Sequence, residues 1–178
     1  RPSAAKKLGI DYEAIARCNP RIVYAFAPGF RADGPRSDEP AYDDVIQGIS
    51  GLAALNKLPS GEPRYLPTVV ADKFCGYTLA SSIAMAMLHR ERTGQGQELH
   101  VPMHETMLQF AYVEHLWGAT LGQGAAGVGY NRVLSPHRRP YATKDGYMAV
   151  LAHSDVQWKR LLIAIGRPEL AEDPRYTT

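Results

Sequence analysis

Arg21-Ile22-Val23-Tyr24-Ala25-Phe26-Ala27 is a nearly unbroken run of β-branched, aromatic and small apolar residues. Its apolar side chains do not alternate with polar ones, so the run predicts a strand covered on both faces rather than one with a solvated side. Immediately before it, Asp11 to Cys18 predicts a short helix that stops at Asn19-Pro20, because the residue preceding a proline is pushed out of the helical region. Helix followed by buried strand is an α/β signature, although a strand this early in the chain has few upstream partners.

Downstream, Pro28-Gly29 turns the chain into a loop from Phe30 to Pro40. Tyr42 to Leu58 predicts a helix, with Ile46, Ile49, Leu52 and Leu55 at three-residue spacing and Gly48 and Gly51 as weak or close-packing points. After a second loop, Phe74 to His89 predicts the longest helix. Gly76, Ala80, Ala84 and Met87 are expected along its buried side, Arg90 and Arg92 in its last turns, and Thr93-Gly94 at its stop. Gln97 to Val101 predicts a short strand and Met103 to Trp117 another helix.

Gly118 to Gly129 holds five glycines in twelve residues and is expected as a linker, hinge or loop. Beyond it, Lys144-Asp145-Gly146 signals a hairpin-like turn before a strand from Tyr147 to Ala152. Ser154-Asp155-Val156-Gln157 is a capping box. It opens a helix expected to bury Trp158, Leu161, Leu162 and Ile165.

With 178 residues, 45% of them hydrophobic and 21% charged, the chain is globular in composition. Its net charge of +2 argues against a polyanion-binding surface, and no nucleic-acid motif is found. Cys18 and Cys75 do not make a disulfide scaffold and suit a reducing, cytoplasmic compartment. Phe74 to Leu88, the longest nearly uncharged stretch, is too short to span a bilayer, so no membrane association is expected. The histidines have no metal-ligand spacing, and no metal is expected.

Asp72 is the chief candidate for chemistry. It follows Pro67-Thr68-Val69-Val70-Ala71 and precedes the long helix pattern, with Gly76 four residues on. A carboxylate there is either an ordinary helix cap or an ionised nucleophile that attacks an activated carbonyl. In the second case the N–H groups near Cys75 and Gly76 are expected to receive the oxyanion. Asp43 and Asp44 read as first-turn acids of their helix, and Tyr42 and Gln47 as possible hydrogen-bond donors to a substrate.

Several runs, in order, resemble the family III CoA-transferases, the carnitine dehydratase-like or formyl-CoA transferase group. They include Asn19-Pro20-Arg21-Ile22-Val23-Tyr24, Gly29-Phe30 with Gly34-Pro35, and Ala41-Tyr42-Asp43 with Gln47 and Ser50-Gly51. Asp72 with Gly76 follows, then Arg92-Thr93-Gly94-Gln95-Gly96-Gln97, Arg139-Pro140-Tyr141, Thr143-Lys144-Asp145-Gly146-Tyr147, Trp158, and Gly166-Arg167-Pro168-Glu169-Leu170 with Asp173-Pro174-Arg175.

The resemblance implies an α/β fold: part of a large, Rossmann-like domain with a mostly parallel sheet and helices on both faces, then the start of a small α+β domain. It places the large-domain portion at 1–117, a glycine-rich linker at 118–135 and the small domain at 136–178. It implies the middle portion of a longer chain, and a homodimer whose subunits interlock. It also implies coenzyme A, as acyl-CoA, for a substrate and a carboxylic acid as acceptor. Asp72 would be the nucleophile, Lys7, Gly29 and Phe30 would contact coenzyme A, and Tyr42, Gln47 and Gly76 would border the acyl pocket.

Two alternatives share the resemblance, an α-methylacyl-CoA racemase and a non-catalytic CoA-binding paralogue. Tyr42 stands where the racemases carry a histidine in a Gly-His-Asp run, and a phenol is a poor base near neutrality. The glycine-rich loop typical of the transferases is not seen at its expected place, since Gly122 to Gly129 lies earlier.

Overall fold

The apolar run at 21–27 becomes a strand of four residues, β1 (Val23–Phe26), paired in parallel with β2 (Gln97–His100) from Val23 opposite Gln97 to Phe26 opposite His100. Parallel neighbours need a crossover, and here everything from residue 27 to residue 96 supplies it. The computed structural model describes residues 1–57, 61–122 and 128–175. They fall into two compact units, Arg1–Pro136 and His137–Thr178.

In the first unit, α1 (Pro2–Leu8) begins on a proline and precedes α2 (Tyr12–Cys18), whose start is capped by the Asp11 carboxylate accepting from the Ala14 N–H at 3.1 Å. The expected single helix from Tyr42 to Leu58 is instead two: α3 (Asp43–Ile49) and α4 (Leu52–Leu55), with Leu58 outside the described residues. Gly51 breaks it at φ +79°, a conformation costly for any residue with a Cβ. A Cβ there would also meet the Tyr112 hydroxyl at 2.7 Å.

The long helix, α5 (Val70–Thr93), starts four residues earlier than expected and ends at Gly94 in the left-handed conformation. Its face also differs from expectation. Ala71, Cys75 and Ala86 are buried, whereas Gly76, Ala80, Ala84 and Met87 are exposed. Apolar residues occur all round this helix, so periodicity does not select a face. Tertiary contact selects it: α5 packs on β1, β2, α3 and α6 (Met103–Tyr112), and the Phe74 and Phe110 rings meet at 4.8 Å. The core joins Phe30, Ile46, Leu52, Ala71, Cys75 and Met107. α6 stops at Tyr112, short of the expected Trp117, and a 3₁₀ turn at Trp117–Leu121 and a short helix α7 (Asn131–Leu134) follow. Of the glycine-rich stretch, residues 123–127 lie outside the described residues.

The second unit holds an antiparallel pair, β3 (Tyr141–Ala142) with β4 (Tyr147–Met148). The turn expected at Lys144-Asp145-Gly146 joins them, and the Thr143 N–H donates to the Gly146 carbonyl at 2.9 Å. β4 is shorter than the strand expected to reach Ala152. The capping box forms as expected at the start of α8 (Asp155–Ala164): Ser154 Oγ accepts from the Gln157 N–H, and Gln157 Oε1 accepts from the Ser154 N–H. Leu161 and Leu162 are half-buried, but Trp158 and Ile165 are exposed, contrary to expectation. Within its unit α8 packs on a 3₁₀ turn at Pro168–Glu172, too small a neighbour to cover the whole apolar face.

The described residues therefore form an α/β fold with one parallel and one antiparallel strand pair. None of their helices is long and apolar enough to cross a membrane.

Candidate active site at the start of the long helix

Asp72 is the third residue of α5, not a cap preceding it. The cap position is held by Val69, whose side chain has nothing to offer an N–H. The first four N–H groups of a helix still need acceptors. Here the Val70 N–H donates to the Thr68 carbonyl at 2.8 Å and the Lys73 N–H to the Val69 carbonyl at 3.2 Å. The other two donate to one atom, Asp43 Oδ1, from Ala71 at 2.7 Å and from Asp72 at 3.1 Å. The cap is thus a carboxylate from another helix.

Asp43 is only 7% exposed, and burying a charge costs several kcal/mol unless donors surround it. Its second oxygen accepts from Gln47 Nε2 at 2.6 Å. Gln47 lies one turn along α3 and is completely buried. The same nitrogen donates to the Thr68 carbonyl at 3.3 Å, and Gln47 Oε1 accepts from the Leu66 N–H at 2.8 Å. Asp43 and Gln47 together hold the chain from Leu66 to Asp72. Asp43 is a first-turn acid of α3, as expected, and it has a second role as a remote cap; the signal for that role is its four-residue spacing from Gln47 on a side of the helix shared with Ile46 and Ser50.

The expectation that N–H groups near Cys75 and Gly76 receive an oxyanion is not met. Both residues lie inside α5, where backbone N–H groups bond the carbonyl four residues back. The first-turn donors are taken as well. Oxyanion stabilisation by the α5 start would require breaking bonds that the fold has already made.

The Asp72 side chain is exposed, and none of the described residues donates a hydrogen bond to it. Gly76 follows it one turn later, and a Cβ on Gly76 would meet nothing within 4 Å, so the space beside the carboxylate is open. Asp72 and Gly76 therefore lie one turn apart on α5, both exposed, and Tyr42 is exposed next to Asp43. Gln47 is interior: its amide is spent on Asp43, Leu66 and Thr68 and does not reach the surface.

Cys75, three residues from Asp72, is buried. Removal from water pushes its thiol up from 9.0 to about 11, with the Asp72 and Asp43 charges acting in the same direction and a hydrogen bond with Thr106 opposing them. A neutral thiol is a poor nucleophile, so Cys75 does not compete with Asp72.

Of the remaining candidates, Phe30 packs in the core beneath the start of α5, Gly29 packs against that core through Ala41, and Lys7 is on α1. Phe30 is a core residue, 2% exposed, with the Arg36 guanidinium 4.3 Å above its ring and His104 beside it. Gly29 lies against Ala41, so closely that a Cβ would collide with the Ala41 methyl, and its carbonyl accepts from the His104 N–H at 3.0 Å. Lys7 is exposed in the last turn of α1. Its neighbour Lys6, not Lys7, lines a cavity of about 210 Å³ floored by Tyr24, Phe26, Glu98 and His100. Among the described residues no cluster of three or more His, Cys, Asp or Glu side chains could hold a metal ion.

Comparison with known proteins places this geometry in context. The acetyl-CoA:oxalate CoA-transferase of Acetobacter aceti is 37% identical over 183 residues, covering 99% of this chain and 46% of that protein. The succinate–glutarate CoA-transferase of Agrobacterium fabrum is 33% identical over 175 residues, covering 97% and 43%. The crystal structure of a CAIB/BAIF family protein from Brucella suis superposes with a TM-score of 0.76 at 29% identity, covering 99% of this chain and 47% of that one. The chain spans about half the length of the curated relatives it matches. The sequence model of CoA-transferase family III matches residues 1–178 from end to end, and the chain belongs to that family.

Proposed function

We propose that the protein transfers coenzyme A from an acyl-CoA donor to a carboxylic acid, with Asp72 as the nucleophile. The observation that carries this reading is the exposed Asp72 carboxylate, without a hydrogen-bond donor among the described residues and beside the open space at Gly76, in a chain of this family. A carboxylate oxygen attacks the thioester carbonyl, the C–S bond breaks, and coenzyme A leaves as thiolate from a mixed anhydride. The thiolate then attacks the aspartyl carbonyl of that anhydride and releases the donor acid as carboxylate. An aspartyl-CoA thioester remains on Asp72. The acceptor carboxylate repeats the sequence in reverse, departs as acyl-CoA and restores the aspartate. A carboxylate suits this chemistry because each intermediate stays activated enough to pass coenzyme A onward.

In this reading Tyr42 and Gly76 border the acyl group, while Lys7 and the Gly29-Phe30 loop lie toward coenzyme A. Residues 1–117 belong to a larger catalytic domain in which β1 and β2 join a mostly parallel sheet covered by helices on both faces; 136–178 begin a small domain. Assembly as an interlocked homodimer and a cytoplasmic location complete the proposal.

The test uses full-length protein incubated with an acyl-CoA and then with hydroxylamine or borohydride. Mass spectrometry should find the modification at Asp72. Coenzyme A bound without any modification would sink the reading and favour a binding protein, and α-proton exchange in deuterated water without transfer would assign racemisation. A panel of acceptors beginning with oxalate, succinate and glutarate, the acids named in the relatives, defines the substrate.

A further inference from the structure

We infer that Asp43 is a positioning residue for Asp72, keeping that carboxylate turned outward and unoccupied; the inference rests on Asp72 being the nucleophile. An acidic side chain in the first turn of a helix ordinarily folds back on the unpaired N–H groups at its own helix start. Those of Ala71 and Asp72 are already taken by Asp43 Oδ1, at 2.7 and 3.1 Å. The negative charge that takes them also repels a second carboxylate from the same place. Asp72 is left without these two donors of its own helix start.

A serine at the Val69 position would have capped the helix with far less burial cost. The chain instead buries a charge from another helix, with Gln47 Nε2 held 2.6 Å from its other oxygen. Asp43 enters no ion pair among the described residues. The consequence is a fixed backbone: Asp72 is tied to α3 through its own N–H, so the start of α5 cannot fray and carry the carboxylate away.

The experiment separates positioning from simple capping in the full-length protein. Asp43→Ala removes the remote cap, and adding Val69→Ser supplies a local one at an exposed position. We expect Asp43→Ala to lower kcat by about 100-fold, the usual cost of a misplaced group, while KM for acyl-CoA stays within about threefold. The double variant should recover the melting temperature but not kcat. Asp43→Asn, which keeps the shape, serves as the single variant if Asp43→Ala does not fold. Unchanged kcat in the single variant, or recovery of both melting temperature and kcat in the double variant, would overturn the inference. Asp72→Asn run in parallel distinguishes the failures. If it still transfers coenzyme A, the nucleophile reading is lost and this inference with it. If it is inactive while Asp43→Ala and Asp43→Asn turn over normally, only the inference is lost.

Discussion

Asp43 Oδ1 accepts the backbone hydrogen of Asp72 at 3.1 Å, joining two carboxylate residues twenty-nine positions apart at the start of one helix. One is buried and fully bonded, the other exposed and unbonded. Their difference in environment, not their chemistry, separates a structural role from the reactive one proposed for Asp72.

Gln47 underlies that arrangement, so Gln47→Leu should be severe. The substitution leaves the Leu66 N–H without its acceptor and Asp43 with one donor fewer, both in a water-poor region. The expected loss is about 2–4 kcal/mol, read as a lower midpoint in urea unfolding. A loss under about 0.5 kcal/mol, the range of an ordinary surface change, would show that Gln47 is not holding this segment.

Three glycines should respond oppositely to alanine. At Gly96 a methyl would collide with the Ile22 carbonyl, and at Gly29 with the Ala41 methyl. Gly96→Ala must displace the backbone where β2 begins beside β1, so a loss of about 1–3 kcal/mol is expected, with Gly29→Ala similar. Gly76 faces open space inside a helix. Gly76→Ala should raise stability by up to about 1 kcal/mol, while slowing transfer if an acyl group occupies that space. Thermal melts and turnover of the same three proteins decide both points.

Cys75 offers a pH-dependent test. Its thiol titrates near 11 in the folded chain, against an ordinary value of 9.0. Between those values the unfolded chain releases a proton that the folded chain keeps, so stability should fall as pH rises through the window and be unaffected below it. Cys75→Ala should remove that part of the slope in a series of unfolding curves. In the native protein near about pH 8, an alkylating reagent should modify exposed Cys18 and spare Cys75 until the chain unfolds.

Ser154→Ala should weaken the second unit locally. The substitution deletes the acceptor of the Gln157 N–H at the start of α8, with an expected cost of about 1 kcal/mol. Faster amide hydrogen exchange confined to the first turn of α8 would verify it; exchange unchanged there would contradict it.

Where one residue type at short range controls the backbone, the sequence was legible. Asn19-Pro20 ended α2, Asp145-Gly146 turned β3 into β4, and Ser154 with Gln157 opened α8. The apolar run at 21–27 announced a strand without revealing its parallel partner about seventy residues on, and its four residues are half-buried rather than covered on both faces. α5 shows the limit. Its existence was plain, but its start at Val70 depends on a cap from Asp43, and its buried face depends on α6 and the sheet.

The sequence by itself determined the α/β class of fold and the family, because local propensity and ordered motifs are properties of neighbours along a chain. Only the tertiary structure decided that Gln47 and Phe30 are interior and that the first-turn N–H groups of α5 are spent. It also decided that the carboxylate capping that helix is not the one inside it. Burial and hydrogen-bond partnership at a helix start are set by whichever segment the fold brings there, and sequence distance carries no information about that.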